Sequence, residues 1–122
     1  MGFDPTVPRK LLAAIRIVNG TAALLAPQFL LRRLGTDVSR DGSGVYPFRM
    51  FGIRTILIGA DLLVLHGEQR RRAARFAVLI HASDTVAAAT AGLRGHLPRK
   101  AATVTTLISA GNTVLAVLAT RE

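Results

Sequence analysis

The sequence predicts an all-α fold, an antiparallel bundle of four transmembrane helices with a polar, charge-paired interior. Half of the 122 residues are hydrophobic and the mean hydropathy is +0.38, which is more apolar than an ordinary soluble chain. The basic residues stand in short clusters between long apolar spans, where helix ends would meet lipid phosphates. Ionisable residues also occur inside the spans, and such residues are costly in lipid unless they have partners or a function.

The length predicts one domain over residues 1–122, large enough for a four-helix bundle. The chain has no cysteine. This absence excludes disulfides, thiolate metal sites and cysteine nucleophiles.

The first helix is predicted over residues 9–31. It contains Arg16 and Asn19 within its apolar run, and it reaches Pro27, beyond which it continues as a kinked or interfacial segment. A basic pair before an apolar run also resembles a secretory signal peptide. Arg16 in the middle of that run, and the lack of a clear small-residue cleavage site, favour a retained helix instead.

The second and third helices are predicted over residues 46–66 and 73–93. Pro47 suits the first turn of a helix, and about 20 residues at a rise of 1.5 Å cover the ~30 Å hydrocarbon core of a bilayer. The Arg-rich segment between the two helices, GEQRRR, is predicted to form a tight turn. Gly, Ser and Asp residues before the second helix indicate a longer loop over residues 35–44.

The fourth helix, predicted over residues 101–120, contains no charged residue and is the clearest transmembrane signal in the chain. The alternative is a soluble Ala-rich bundle, whose helices would show a charged outer stripe at 3.6-residue spacing. The last three predicted helices lack such a stripe, and their few polar residues fall on one face. This pattern indicates an apolar exterior and a polar interior.

The chain is predicted to cross the plasma membrane several times. Its orientation is harder to predict, because similar numbers of Lys and Arg residues fall on the two sides. The amino end, the second connection and the carboxyl end share one side. That side carries Arg9, Lys10, Arg70, Arg71, Arg72, Arg75 and Arg121, and the other carries Arg32, Arg33, Arg40, Arg49, Arg94, Arg99 and Lys100. The positive-inside rule therefore gives a tie. The dense cluster Arg70–Arg72 favours cytoplasmic termini.

The net charge of +9 also invites a nucleic-acid interpretation. A nucleic-acid surface needs a continuous basic face, preferably with aromatic side chains for stacking. Here the basic residues are divided among short clusters, and the chain has no Trp and one Tyr. Membrane lipid, and not nucleic acid, is the expected partner.

Each predicted helix contributes two polar residues at helical spacing, so that both lie on one face. The pairs are Arg16 and Asn19, Arg54 and Asp61, His81 and Asp84, and Ser109 and Asn112. Antiparallel hairpins would place Arg54 level with residue 85 and Asn112 level with residue 82. The sequence therefore predicts two ion pairs, Arg54–Asp84 and Arg16–Asp61, around His81 and Asn112, since pairing makes buried charge tolerable.

These residues form the predicted site. Asp61, His81 and Asp84 are the candidate catalytic acids and bases, and Arg16, Asn19, Arg54 and Asn112 are the candidate ligand-binding residues. The alternative is that the ion pairs only fix the register of the helices. No cofactor and no metal is predicted, because the three histidines lie at different depths and His81 with Asp84 is half a ligand set.

The run Arg49-x-Phe51-Gly52-x-Arg54-x4-Gly59, followed by Asp84 within the next span, resembles a group of small four-helix integral membrane proteins. This group is common in actinobacteria and overlaps loosely with the DoxX-like families. The resemblance covers residues 46–93, and the hydropathy outside that range is compatible with it. It implies a four-helix membrane fold and no particular activity, because the group has no settled biochemistry.

Three functions are compatible with the sequence. The first is a membrane-embedded enzyme or binding protein that acts on an apolar small molecule, such as a polyketide, isoprenoid or quinone, by acid/base chemistry. The second is a proton-coupled small transporter that works as a homodimer. The third is an accessory subunit whose polar core serves the assembly of a membrane complex. The first is preferred here.

Overall fold

The computed structural model describes residue 4, residues 6–35, residue 39 and residues 42–121, and within these ranges the chain is helical and has no strand. The helices are α1 (Thr6–Leu25), α2 (Pro27–Arg33), α3 (Val45–Val64), α4 (Gly67–Leu93) and α5 (Arg99–Ala119). The prediction of an all-α fold is confirmed.

The first predicted helix, residues 9–31, comprises two helices in the structure. α1 and α2 meet at Ala26, where the chain bends by 106°. Pro27 causes the break, because its ring has no N–H to donate and clashes with a continuing helix, whereas it fits the first turn of α2.

The third predicted helix begins at Gly67 instead of Ala73, so the Arg-rich segment is helical. The reversal is made by Leu65 and His66, both extended, and by Gly67, whose φ of +59° lies in the left-handed region that glycine adopts without steric cost. Glu68 then accepts hydrogen bonds from Arg71 at 3.1 Å and Arg75 at 3.0 Å. Arginine has a high helix propensity, and these exposed pairs support the first turns of α4.

The helices pack as two close pairs, α1 against α3 and α4 against α5, and the pairs meet mainly between α1 and α5. Contacts between α3 and α4 are sparse, although the two are joined by the shortest connection. The buried hydrophobic cluster lies toward the end of the bundle where α3 joins α4, and it contains two leucines and otherwise only alanines, namely Leu12, Ala13, Leu62, Ala74, Ala77, Ala116 and Ala119.

Glycines set the distance between α1 and α3. A Cβ atom built on Gly52 would lie 2.6 Å from the carbonyl oxygen of Gly20, and one built on Gly59 would lie 2.9 Å from that of Ala13. The helix backbones therefore touch, as in the small-residue interfaces of membrane helices. Between α4 and α5, Gly92 faces the methyl group of Ala102, which agrees with the register predicted for this hairpin.

Arg9 occupies a different place from the one that the sequence suggested. It was assigned to an outward basic cluster, but its side chain is buried and Nη1 donates a 2.7 Å hydrogen bond to the carbonyl oxygen of Leu62. This carbonyl belongs to the last turn of α3, where oxygens lack partners within the helix. The positive charge of the guanidinium is also stabilised there by the negative end of the helix dipole.

The distribution of apolar side chains is that of a membrane protein. α4 and α5 are long and apolar enough to cross a bilayer, and α1 with α2 adds a third span if the bent pair is counted as one. Large apolar side chains face outward, for example Leu25, Leu79 and Val86, while the buried hydrophobic residues are mostly alanine. A water-soluble bundle would show the opposite arrangement.

We expect the same substitution to have opposite effects at two glycines. Gly59→Ala places a methyl group against the backbone of α1 and should lower the free energy of unfolding by about 1–3 kcal/mol. Gly111→Ala has no atom within 4 Å of the new Cβ, so it should leave stability unchanged or raise it by about 0.5–1 kcal/mol. Denaturation followed by circular dichroism in detergent measures both. Equal stabilities for the two variants would contradict the close contact of α1 and α3.

Candidate functional site

A buried hydrogen bond joins α1 to α4. Nη1 of Arg16 lies 3.3 Å from Nδ1 of His81, and the two residues are 5% and 0% exposed. A guanidinium group can only donate hydrogen bonds, so Nδ1 must be the acceptor. His81 is therefore neutral in this arrangement, with its proton on Nε2.

Helical spacing brings both side chains inside. Arg16 is four residues from Leu12 and from Gly20, all three on the buried face of α1. His81 follows Ala74 and Ala77 on the buried face of α4. The small alanine side chains leave the space that the imidazole ring fills.

Two further groups act on Arg16. The ring of Phe51 from α3 lies 5.9 Å from the guanidinium carbon, within the range of a cation–π interaction. Asp84, half-buried and one turn beyond His81, is close enough for its charge to act on Arg16. No ion pair within 4 Å forms between Arg16 and Asp84, which are both in the described part of the chain.

The predicted ion pairs Arg54–Asp84 and Arg16–Asp61 are not formed, although all four residues lie in the described ranges. Arg54 and Asp61 are exposed. The reason is the rotation of α3 about its axis. The helix turns Gly52 toward α1, so its two mid-helix charges point away from the bundle, and Arg16 meets α4 instead.

Buried polar atoms around this contact lack hydrogen-bond partners. Within the described residues they are Nε of Arg16, Oγ1 of Thr55 and Nε2 of His81. Each such atom costs about 1–3 kcal/mol. Thr55 was not among the predicted site residues; its position between Gly52 and Gly59, on the small-residue face of α3, is the signal that could have identified it.

A groove of about 530 Å³ lies between α1 and α5. Asn19 and Asn112 contribute its polar atoms, and the other lining residues are Ile15, Leu107, Ile108, Gly111, Val114 and Leu115. Asn112 is only 4% exposed. Neither asparagine side chain forms a hydrogen bond with any described residue.

The structure thus divides the predicted site residues into three groups. Arg16, His81 and Asp84 come together in the interior. Asn19 and Asn112 line the groove, while Arg54 and Asp61 lie on the outer side of α3. Among the described residues, no three His, Asp or Glu side chains are grouped so that they could hold a metal ion.

Comparison of the chain with protein-family models, with curated proteins and with solved structures gives no match. The resemblance to small DoxX-like membrane proteins therefore stays a prediction.

We expect His81 to be neutral at pH 7.5, with the proton on Nε2, because Arg16 donates to Nδ1. The ¹⁵N spectrum of histidine-labelled protein in detergent separates the two neutral tautomers and the cation. His66, exposed at the start of α4, provides the control signal of a solvated ring. A protonated Nδ1 on His81 would show that the contact with Arg16 is not a hydrogen bond.

Proposed function

We propose that this protein is a multi-pass membrane protein that binds an apolar small molecule in the groove between α1 and α5. The carrying observation is that two asparagine amides with free hydrogen-bonding capacity, Asn19 and Asn112, stand in an otherwise apolar groove.

The proposal includes four crossings of the plasma membrane, by α1, α3, α4 and α5. α3 is apolar over most of its length but carries three charged residues, Arg49, Arg54 and Asp61. However, it lies directly against α1 along the contacts of Gly20 with Gly52 and of Ala13 with Gly59. It therefore shares the depth of α1 in the bilayer. Four crossings put both termini on one side.

The composition of the groove indicates the class of ligand. Lipid tails offer no hydrogen bonds, so an unpaired amide facing them carries a free-energy cost. A molecule with an apolar body and a carbonyl, hydroxyl or amide head group would satisfy both amides, because each can donate and accept. The volume falls within the range of small-molecule sites, about 300–1,000 Å³. Quinones, isoprenoids and polyketides have this chemistry.

The groove supports binding better than catalysis. Its lining contains amides and apolar groups but no titratable side chain, and acid/base chemistry requires such a group within hydrogen-bond reach of the reacting atom. Neither Arg16 nor His81 lines the groove, although Arg16 is about one helical turn from Asn19 on α1. We assign this contact the role of fixing α1 against α4.

The experiment compares two probes of equal chain length, dodecanamide with a polar head group and dodecane without one. In the wild-type protein, dodecanamide should raise the melting temperature in detergent more than dodecane does. Asn112→Leu should weaken the binding of dodecanamide by roughly 3- to 10-fold, the worth of one hydrogen bond, and should leave dodecane unaffected.

Thr113→Val is the matched control. Thr113 neighbours Asn112, but its hydroxyl donates to the carbonyl oxygen of Ser109 at 2.8 Å and does not line the groove. This variant should bind dodecanamide as the wild type does. Equal responses to both probes in the wild type, or an equal loss in both variants, would refute the proposal.

A further inference from the structure

The outer face of α3 carries charge without a partner. We define this face by Met50, Arg54, Leu57, Asp61 and Val64, which are all exposed. We propose that a second copy of this chain, inserted in the opposite orientation, covers it. This inference rests on the proposed crossing of the membrane by α3, and not on the groove between α1 and α5.

Helix geometry places the two charges in line. Arg54 and Asp61 are seven residues apart, which is about 20° around the axis and about 10.5 Å along it. They lie opposite the glycine face that contacts α1. Arg54 is at the middle of α3, where the proposed crossing leaves it deepest in the lipid.

The chain itself does not compensate these charges. Neither Arg54 nor Asp61 forms a hydrogen bond or ion pair with any described residue. They do not reach each other along α3 either, because helical side chains lean toward the amino end, so that Arg54 leans away from Asp61. Hydrocarbon offers no counter-charge, and an uncovered arginine at that depth carries a free-energy cost.

A second copy related by a two-fold axis at Leu57 supplies both counter-charges. Antiparallel packing about this axis puts Arg54 level with residue 60 of the second copy, next to Asp61, and the reverse contact follows from the symmetry. Each side chain leans toward the amino end of its own helix. In an antiparallel pair this brings Arg54 of one copy toward Asp61 of the other. A parallel dimer would instead bring Arg54 against Arg54.

The charge balance of the whole chain is compatible with insertion in both directions. Apart from the buried Arg9, six Lys and Arg residues lie toward one side of the proposed four-crossing arrangement and seven toward the other, so the charge is nearly balanced. Loop charge bias is what normally sets a single orientation. A chain without that bias supplies the two orientations that an antiparallel dimer requires.

Cysteine cross-linking tests this arrangement directly, since the natural chain has no cysteine. In membranes, Leu57→Cys should form a disulfide-linked dimer with itself. Met50→Cys and Val64→Cys should each give little product alone, but should cross-link to each other when coexpressed. Leu79→Cys, on the exposed side of α4, is the control and should stay monomeric.

Two outcomes overturn the proposal. Self-linkage of Met50→Cys or Val64→Cys at the yield of their mixture would show a parallel dimer. Failure of Leu57→Cys to cross-link, with a monomer mass in mild detergent, would show that this face is not covered by a second copy. Neither outcome bears on dodecanamide binding, so the two proposals fail separately.

Charge reversal then tests the pairing. In the Leu57→Cys background, Arg54→Asp or Asp61→Arg should each lower the dimer yield by roughly tenfold, because like charges would face each other. The double reversal should restore the yield to within about twofold. Both positions are exposed, so neither change removes a contact within the chain. Equal yields in all variants would refute the ion pairs.

Discussion

The close approach of α1 and α3 determines most of this structure. Gly20, Gly52 and Gly59 let the two backbones touch, and no larger side chain could stand at these points. Because the glycine face of α3 packs against α1, the rotation of α3 about its axis is fixed, and with it the direction of every other face. The charged residues Arg54 and Asp61 are thereby turned away from the bundle, even though their depth would have allowed contacts with α4.

The same constraint explains the unusual partners of Arg16. With α3 presenting Phe51 and Thr55 instead of a carboxylate, the guanidinium lies between an aromatic ring and the neutral imidazole of His81. Asp84 supplies opposite charge nearby without direct contact. The hydrogen bond between Arg16 and His81 joins α1 to α4, so it links the two helix pairs.

Polar groups that the bundle cannot satisfy internally remain at two outward places. One is the groove between α1 and α5, where two amides have no hydrogen-bond partner among the described residues. The other is the outer face of α3, where Arg54 and Asp61 have no partner of opposite charge among those residues. In lipid, both places favour an occupant over hydrocarbon. The chemistry differs, however, since neutral amides select a small polar group and paired charges select a complementary protein face. The proposed binding site and the proposed assembly surface thus involve different helices of one small bundle.

Hydropathy and spacing predicted the long helices, because apolar runs of about 20 residues between polar connections are typical of membrane-spanning helices. They also identified Arg16, His81, Asn19 and Asn112 as interior or groove residues, since helical periodicity assigns residues to faces. What they could not supply was the rotation of α3. The run from Tyr46 to Val64 has polar residues on one face and glycines on another, and either face could have turned inward. Only the tertiary structure decided between them, because the choice depends on how closely two backbones can pack. That is a property of the helix pair and not of either helix alone.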